Sequence, residues 1–155
     1  MPIISPFPSF FKTTSYSSNL LVSGTASASS FYPTVPPSNV VDGNEATVWG
    51  MNAGQDYPQW WRYDLGDGIT KKITKVRVKP YSDGVSSPKD FKIQGSNDGT
   101  NFDDLYTNTF EFGDAWQEFI FTNAVSYRYY RLYLTNCYGS PHACGLYETE
   151  AFENL

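Results

Sequence analysis

Histidine and cysteine are scarce in this sequence: there is one histidine, His142, and two cysteines, Cys137 and Cys144. That scarcity excludes several chemistries. No Cys-x-x-Cys or Cys/His spacing of a zinc site occurs. No Gly-x-Ser-x-Gly elbow accompanies the single His, and no Gly-rich loop is present to cradle phosphates. Glu148 and Glu150 lie two apart, so on one strand face, and would approach a glycosidic bond from the same side rather than flank it. The sequence therefore argues against an enzyme. Charge is also sparse, with 17% of residues Asp, Glu, Lys or Arg and a net charge of −5. Phosphate neutralisation needs Lys and Arg, yet the longest basic run is Lys71-Lys72, which argues against nucleic acid. No apolar stretch approaches the ~20 residues needed to span a bilayer. Residues 1–11 are broken by Pro2, Pro6 and Pro8 and lack a basic region before an apolar core, so no signal peptide is read there.

The two cysteines allow either a bridge or a pair of thiols. A bridge would close a short loop and contribute roughly 2.5 kcal/mol through chain entropy, before strain.

What the chain does have is aromatic residues: 12 Tyr, 11 Phe and 4 Trp. Such residues fill a core and also make half-wet contacts. The length, 155 residues, suits one domain with its own core. Residues 1–19, rich in Ser, Thr, Pro and Phe without period, read as an N-terminal arm or linker, and 20–155 as the domain. Short β-branched and aromatic segments separated by Gly, Pro, Asn and Asp predict strands near 20–27, 59–65, 72–80, 89–96, 102–107, 115–122, 127–136 and 144–153. In 72–80, Thr74, Val76 and Val78 alternate with Lys75, Arg77 and Lys79. In 127–136, Tyr130, Leu132 and Leu134 alternate with Tyr129, Arg131 and Tyr133. This is the period of half-buried antiparallel strands. Asp98-Gly99 marks a hairpin turn across 89–107. The pattern predicts an all-β, antiparallel β-sandwich (jelly roll) of about eight strands. Trp49, Trp60, Trp61 and Trp116 are assigned to the core.

Five segments, in order, resemble one family. Asn39-Val40-Val41-Asp42-Gly43-Asn44-Glu45-Ala46-Thr47-Val48-Trp49 is similar to the signature Asn-Ala-hydrophobic-Asp-Gly-Asn-x-x-Thr-x-Trp of the discoidin family, the coagulation factor V/VIII type C domains. Gln59 to Gly66, Pro88 to Gly99, Tyr127 to Leu132 and Leu146 to Phe152 resemble that family's later strands. Within it the chain looks closest to the family 32 carbohydrate-binding modules. The resemblance implies a galactose-binding-like sandwich acting as a non-catalytic, lectin-like module for glycan recognition or adhesion. The implied setting is extracellular, on a cell surface or in a virion. The alternative is a protein-interaction or assembly domain of a larger particle, such as a phage tail or a secreted multidomain protein, attached through residues 1–19.

A metal is suggested by the Asp42-Gly43-Asn44 turn. Gly43 tolerates positive φ, and a tight turn aims carbonyls and the Asp42 carboxylate at one point, as Ca²⁺ with its six to eight oxygens requires. The resemblance implies a structural Ca²⁺ held by the side chains of Asp42, Thr47 and Glu148 and the carbonyls of Val40, Asn44, Thr47 and Tyr147. The alternative is a plain Asp-Gly turn with Glu148 in a surface ion pair.

In relatives the ligand meets loops at one end of the sandwich. The corresponding loops here are 30–38, 50–58, 81–88 and 137–144. They offer Tyr32, Asn52, Tyr81, Asp83, Tyr138 and His142 as ligand-binding candidates, with Tyr57 beside them. Sugar recognition needs an aromatic face and converging polar groups in a preformed concavity, and Tyr138 with His142 is the leading pair. The fucose-binding arrangement, a His with Arg-x-Asp and a further basic residue, is not reproduced by Arg77-Val78-Lys79 and His142. Met51 and Val85 could serve as apolar membrane spikes, but the basic collar of the lipid-binding relatives is missing.

Overall fold

The computed structural model describes residues 13–139 and 142–155. Residues 1–12 of the expected arm, and Ser140 and Pro141 of the 137–144 loop, lie outside these described residues.

Nine strands form: β1 (Thr25–Ala28), β2 (Trp49–Gly50), β3 (Gln59–Asp64), β4 (Ile73–Pro80), β5 (Asp90–Ser96), β6 (Asp103–Thr109), β7 (Gln117–Ile120), β8 (Tyr129–Leu134) and β9 (Gly145–Glu153). They build a five-stranded sheet ordered β1-β3-β8-β5-β6 and a four-stranded sheet ordered β2-β9-β4-β7. Every pairing is antiparallel. The expected sandwich is therefore present. Two elements escaped the sequence reading: the two-residue strand β2, too short to display a period, and a 3-10 helix over Pro37–Val41. The first strand also begins later than expected, at Thr25 rather than near 20.

Strict alternation decides which residues face inward. In β3, Trp61 and Tyr63 are buried while Trp60, Arg62 and Asp64 are half-buried. In β8, Tyr130, Leu132 and Leu134 are buried while Tyr129, Arg131 and Tyr133 look outward. Trp49 and Trp61 are core, as expected. Trp60 is not, because Trp60-Trp61 straddles both faces of one strand and only one can point in. Trp116 is not core either: Arg77 stacks on its ring at 4.7 Å and its indole N–H donates to Glu45 Oε1 at 3.1 Å. Phe91 stacks on Phe110 at 4.1 Å, with Phe119 edge-on at 4.9 Å to Phe91, filling the space between the sheets.

The first described segment meets the C-terminal residues. Ser17 N–H donates to Glu153 O at 3.0 Å, Leu155 N–H to Ser15 O at 2.9 Å, and Asn19 Oδ1 accepts from Ala151 N–H at 3.1 Å. Residues 15–19 thus run alongside the end of β9. Among the described residues, no helix is long and apolar enough to cross a membrane.

Arg128 clasps Asp64 with two bonds, Nε to Oδ1 at 2.7 Å and Nη2 to Oδ2 at 3.0 Å, tying the approach to β8 to the end of β3. These bonds hold the Asp64 carboxyl below the usual range, against a smaller upward effect of burial. A depressed folded pKa means the stabilisation is present above the unfolded value, about 3.9, and is lost as pH falls through the folded value. Asp64→Asn is therefore expected to lower the melting temperature at pH 7, with parent and variant converging in acid. Paired melting curves across pH check this.

Candidate functional site

The Asp-Gly-Asn turn follows the 3-10 helix, with Gly43 at φ 75°, as the sequence anticipated. Asn44 N–H donates both to Asp42 Oδ1 at 2.8 Å and to Glu148 Oε1 at 3.0 Å. Thr47 Oγ1 sits 2.7 Å from Asp42 Oδ2 and 2.9 Å from the Asn44 carbonyl. Asp42 and Glu148, distant in sequence, thus share one donor and face each other. Burial raises the Asp42 carboxyl, but the bonds from Thr47 and Asn44 outweigh it and leave it low. Glu148, 4% exposed, is pushed up to about 7, first by burial and then by Asp42 beside it. Two acids held together without a cation cannot both ionise cheaply. Hard oxygens from two carboxylates, a threonine hydroxyl and turn carbonyls suit the donor preferences of Ca²⁺. Among the described residues no cluster of three or more His, Cys, Asp or Glu occurs, so any site here would depend on neutral oxygens for most of its shell.

A cleft of about 210 Å³ opens between β2, the start of β9 and the loops carrying Tyr32 and Tyr81. Its lining includes the aromatic rings of Tyr32 and Tyr81, the aliphatic side chains of Val35, Val48 and Met51, and the polar groups of Asp83 and Ser86. The Tyr32 loop is pinned to β2: Val35 O accepts from Gly50 N–H at 3.3 Å, and Tyr32 Oη accepts from Ala53 N–H at 2.9 Å. Tyr32 still leaves 43% of its surface exposed. The Tyr81 ring rests on Tyr147 at 5.3 Å. Burial, and then the Asp83 carboxylate beside it, push the Tyr81 hydroxyl upward. Asp83 accepts from Val85 N–H at 2.9 Å, Ser86 N–H at 2.7 Å and Ser86 Oγ at 3.1 Å. Most of its lone pairs hold its own loop in shape, so it positions Ser86 and Tyr81 more than it offers itself. Gly145 closes the cleft: a Cβ there would meet Trp49 O at 2.7 Å and Tyr81 Cβ at 3.2 Å.

Asn52, Tyr138 and His142, the other expected ligand residues, do not line this cleft. Tyr138 donates its hydroxyl to Phe110 O at 2.6 Å, meets Phe112 edge-on at 5.4 Å and carries the Lys89 ammonium 5.4 Å from its ring. His142 Nδ1 lies 3.4 Å from Gln55 O and 3.8 Å from Asp56 Oδ1. Asn52 adjoins the lining residue Met51, and its backbone N–H donates to Ser30 Oγ at 3.2 Å. Tyr57 is structural. It donates to Ala143 O at 3.3 Å, and its hydroxyl is pushed up by burial and by the neighbouring buried thiols of Cys144 and Cys137. Met51, considered as a membrane spike, is 3% exposed, whereas Val85 is 53% exposed. The sequence reading missed Val35, Val48, Ser86 and Gly145. Val35 and Ser86 lie in two of the expected ligand loops and Val48 in the 39–49 motif, but no local signal singles them out; Val35 is held by Gly50 N–H, Ser86 by Asp83, and the β2–β9 register brings Gly145 beside Gly50.

The F5/8 type C domain model matches residues 23–149. No curated protein is significantly similar to the chain. Among solved structures, chitosan-binding module 1 of the chitosanase/glucanase from Paenibacillus sp. IK-5 is 31% identical, with a TM-score of 0.71, covering 87% of this chain and 98% of that one. Module 2 of the same enzyme, in complex with chitotriose, is 28% identical, with a TM-score of 0.72 and coverages of 87% and 100%. The family 32 carbohydrate-binding module of NanJ from C. perfringens, in complex with galactose, shares the fold at 20% identity, with a TM-score of 0.76 over 90% of this chain and 100% of that one.

Proposed function

Because the chain belongs to the F5/8 type C domain family, we propose that it is a non-catalytic carbohydrate-binding module whose sugar site is the Tyr32–Tyr81 cleft. The observation that carries this reading is the cleft itself, which two tyrosines, Ser86 and aliphatic side chains line together. Such a concavity suits a pyranose, whose C–H face packs on aromatic carbon while its hydroxyls take hydrogen bonds. The chitotriose- and galactose-bound relatives support a glycan as the ligand class. A calcium ion held by Asp42, Thr47 and Glu148, with carbonyls from Val40, Asn44, Thr47 and Tyr147, would tie the first turn to the last strand and serve stability, not sugar contact. The setting that fits is extracellular or surface-exposed, where such glycans are met.

A glycan array carrying chitosan oligomers, galactosides and other exposed sugars tests the reading. Selective binding to at least one sugar class is expected. No signal above background at high protein concentration would favour an assembly domain attached through residues 1–19.

A further inference from the structure

The outer face of the five-stranded sheet carries a feature that the cleft does not use. Arg62 on β3 and Arg131 on β8 stand directly opposite each other in register. Like charges across a strand pair are destabilising, and among the described residues neither guanidinium has a carboxylate within ion-pair distance. The nearby acids are already engaged: Asp104 with Lys92 at 2.6 Å, Asp64 and Asp67 with Arg128 at 2.7 and 2.9 Å. On a chain of net charge −5, Arg62, Arg131, Arg128 and Lys92 set against Asp64, Asp67 and Asp104 leave this face a local excess of one positive charge.

Both guanidiniums are held still by aromatic rings. Arg62 lies 5.2 Å from the Trp60 ring and 5.4 Å from Tyr129, and Arg131 lies 3.7 Å from Phe102 and 4.8 Å from Tyr133. Their hydrogen bonds use only part of each fork. Arg62 donates Nε to Ser27 Oγ at 3.1 Å and Nη1 to Gly99 O at 3.0 Å, while Arg131 donates Nε to Gln94 Oε1 at 2.6 Å. Nη2 of Arg62 and both Nη atoms of Arg131 remain as donors. Each pre-ordered guanidinium fork matches one carboxylate or sulfate, and the two stand on adjacent strands, Arg62 held toward β1 by Ser27 and Arg131 toward β5 by Gln94, so that successive anionic groups of one chain can meet them. The flanking half-buried rings of Trp60 and Tyr133, paired on adjacent strands, supply apolar surface for the sugar ring that carries the anion.

We infer that this sheet face is a second binding site, for an acidic saccharide chain whose carboxylate or sulfate groups seat on Arg62 and Arg131. Charge complementarity selects the anion, and the aromatic frame selects a ring-bearing polymer over a bare ion.

The test titrates a short oligogalacturonate, and the same oligomer with its carboxyls reduced, into the parent, the Arg62→Gln/Arg131→Gln double variant and Tyr32→Ala. The parent is expected to bind the acidic oligomer, to lose affinity as salt rises, and to bind the reduced oligomer at least tenfold more weakly. The double variant should lose at least tenfold, while Tyr32→Ala keeps the acidic interaction. That last comparison separates this site from the cleft, so either can fail alone. Amide shift mapping of the parent with the oligouronate should mark β3 and β8, and decides the matter if the double variant does not fold. Lack of binding at millimolar oligouronate, equal binding by the folded double variant, or shifts confined to the Tyr32–Tyr81 cleft would each overturn the inference. Equally tight binding of a single-stranded oligonucleotide of matched charge would overturn the saccharide assignment.

Discussion

Chelation is expected to lower the melting temperature of this domain by about 5–10 °C. A ligand bound only by the folded state contributes about 2.7 kcal/mol when present at 100 times its dissociation constant. A domain of this size shifts by roughly 2–4 °C per kcal/mol. The expectation rests on Asp42 and Glu148 facing each other across the shared Asn44 N–H, with Thr47 completing the cluster. Glu148→Gln keeps an oxygen acceptor for Asn44 but removes the charge that would hold a divalent cation. It should abolish most of the calcium response. In chelator the same variant should melt no lower than the parent, because one of two like-charged neighbours has been neutralised. The lost calcium response distinguishes a metal site from a plain turn with a buried hydrogen bond, and the melting temperature in chelator shows that the variant still folds. Melting curves that are unchanged by chelator, on protein verified to be metal-free after treatment, would refute the site.

The other large effect concerns the cleft. Tyr32→Ala should weaken binding of the array-selected sugar by about 10- to 30-fold, equivalent to about 1.4–2 kcal/mol, the scale of a buried aromatic anchor. Its melting temperature should change little, since the ring is 43% exposed and the loop retains its backbone bonds to Gly50. Tyr32→Phe keeps the stacking face and loses only the bond from Ala53 N–H, so it should retain most of the affinity. Tyr138→Ala should have the smaller effect, because that ring is engaged with Phe110 O and Phe112. Isothermal titration of the three variants settles the order. A Tyr138→Ala loss exceeding that of Tyr32→Ala would return the site to the 137–144 loop.

The fold was legible because alternation along β8, and along β4 from Val76 onward, is a local property of the sequence, and burial follows it there. The Asp42 turn was legible for the same reason: Gly43 and its neighbours form a contiguous motif. Glu148 could be attached to that turn only through the resemblance, since nothing local links positions so far apart. The cleft was half legible. Tyr32, Tyr81 and Asp83 fall in loops that any sandwich presents at its ends. Tyr138 and His142 were favoured because they share a short loop, but neighbours in sequence need not face one cavity, and here the Tyr138 hydroxyl is drawn to Phe110. Trp60 and Trp116 read as core from the sequence because one lies on, and the other opens, a predicted strand. Trp is large enough to be seldom fully buried, and an adjacent Trp pair on a strand must split between faces. The Arg62–Arg131 pairing depends on the register of β3 against β8, which single-strand periodicity does not supply.

The most direct test of the carbohydrate-site assignment is amide shift mapping of the parent protein with the sugar that the array selects. Perturbations at Tyr32, Met51, Tyr81, Ser86 and Gly145, saturating together at one affinity, are the predicted result. Perturbations that leave those residues still while marking Tyr138 and His142, or the described part of the 13–19 segment, would contradict it.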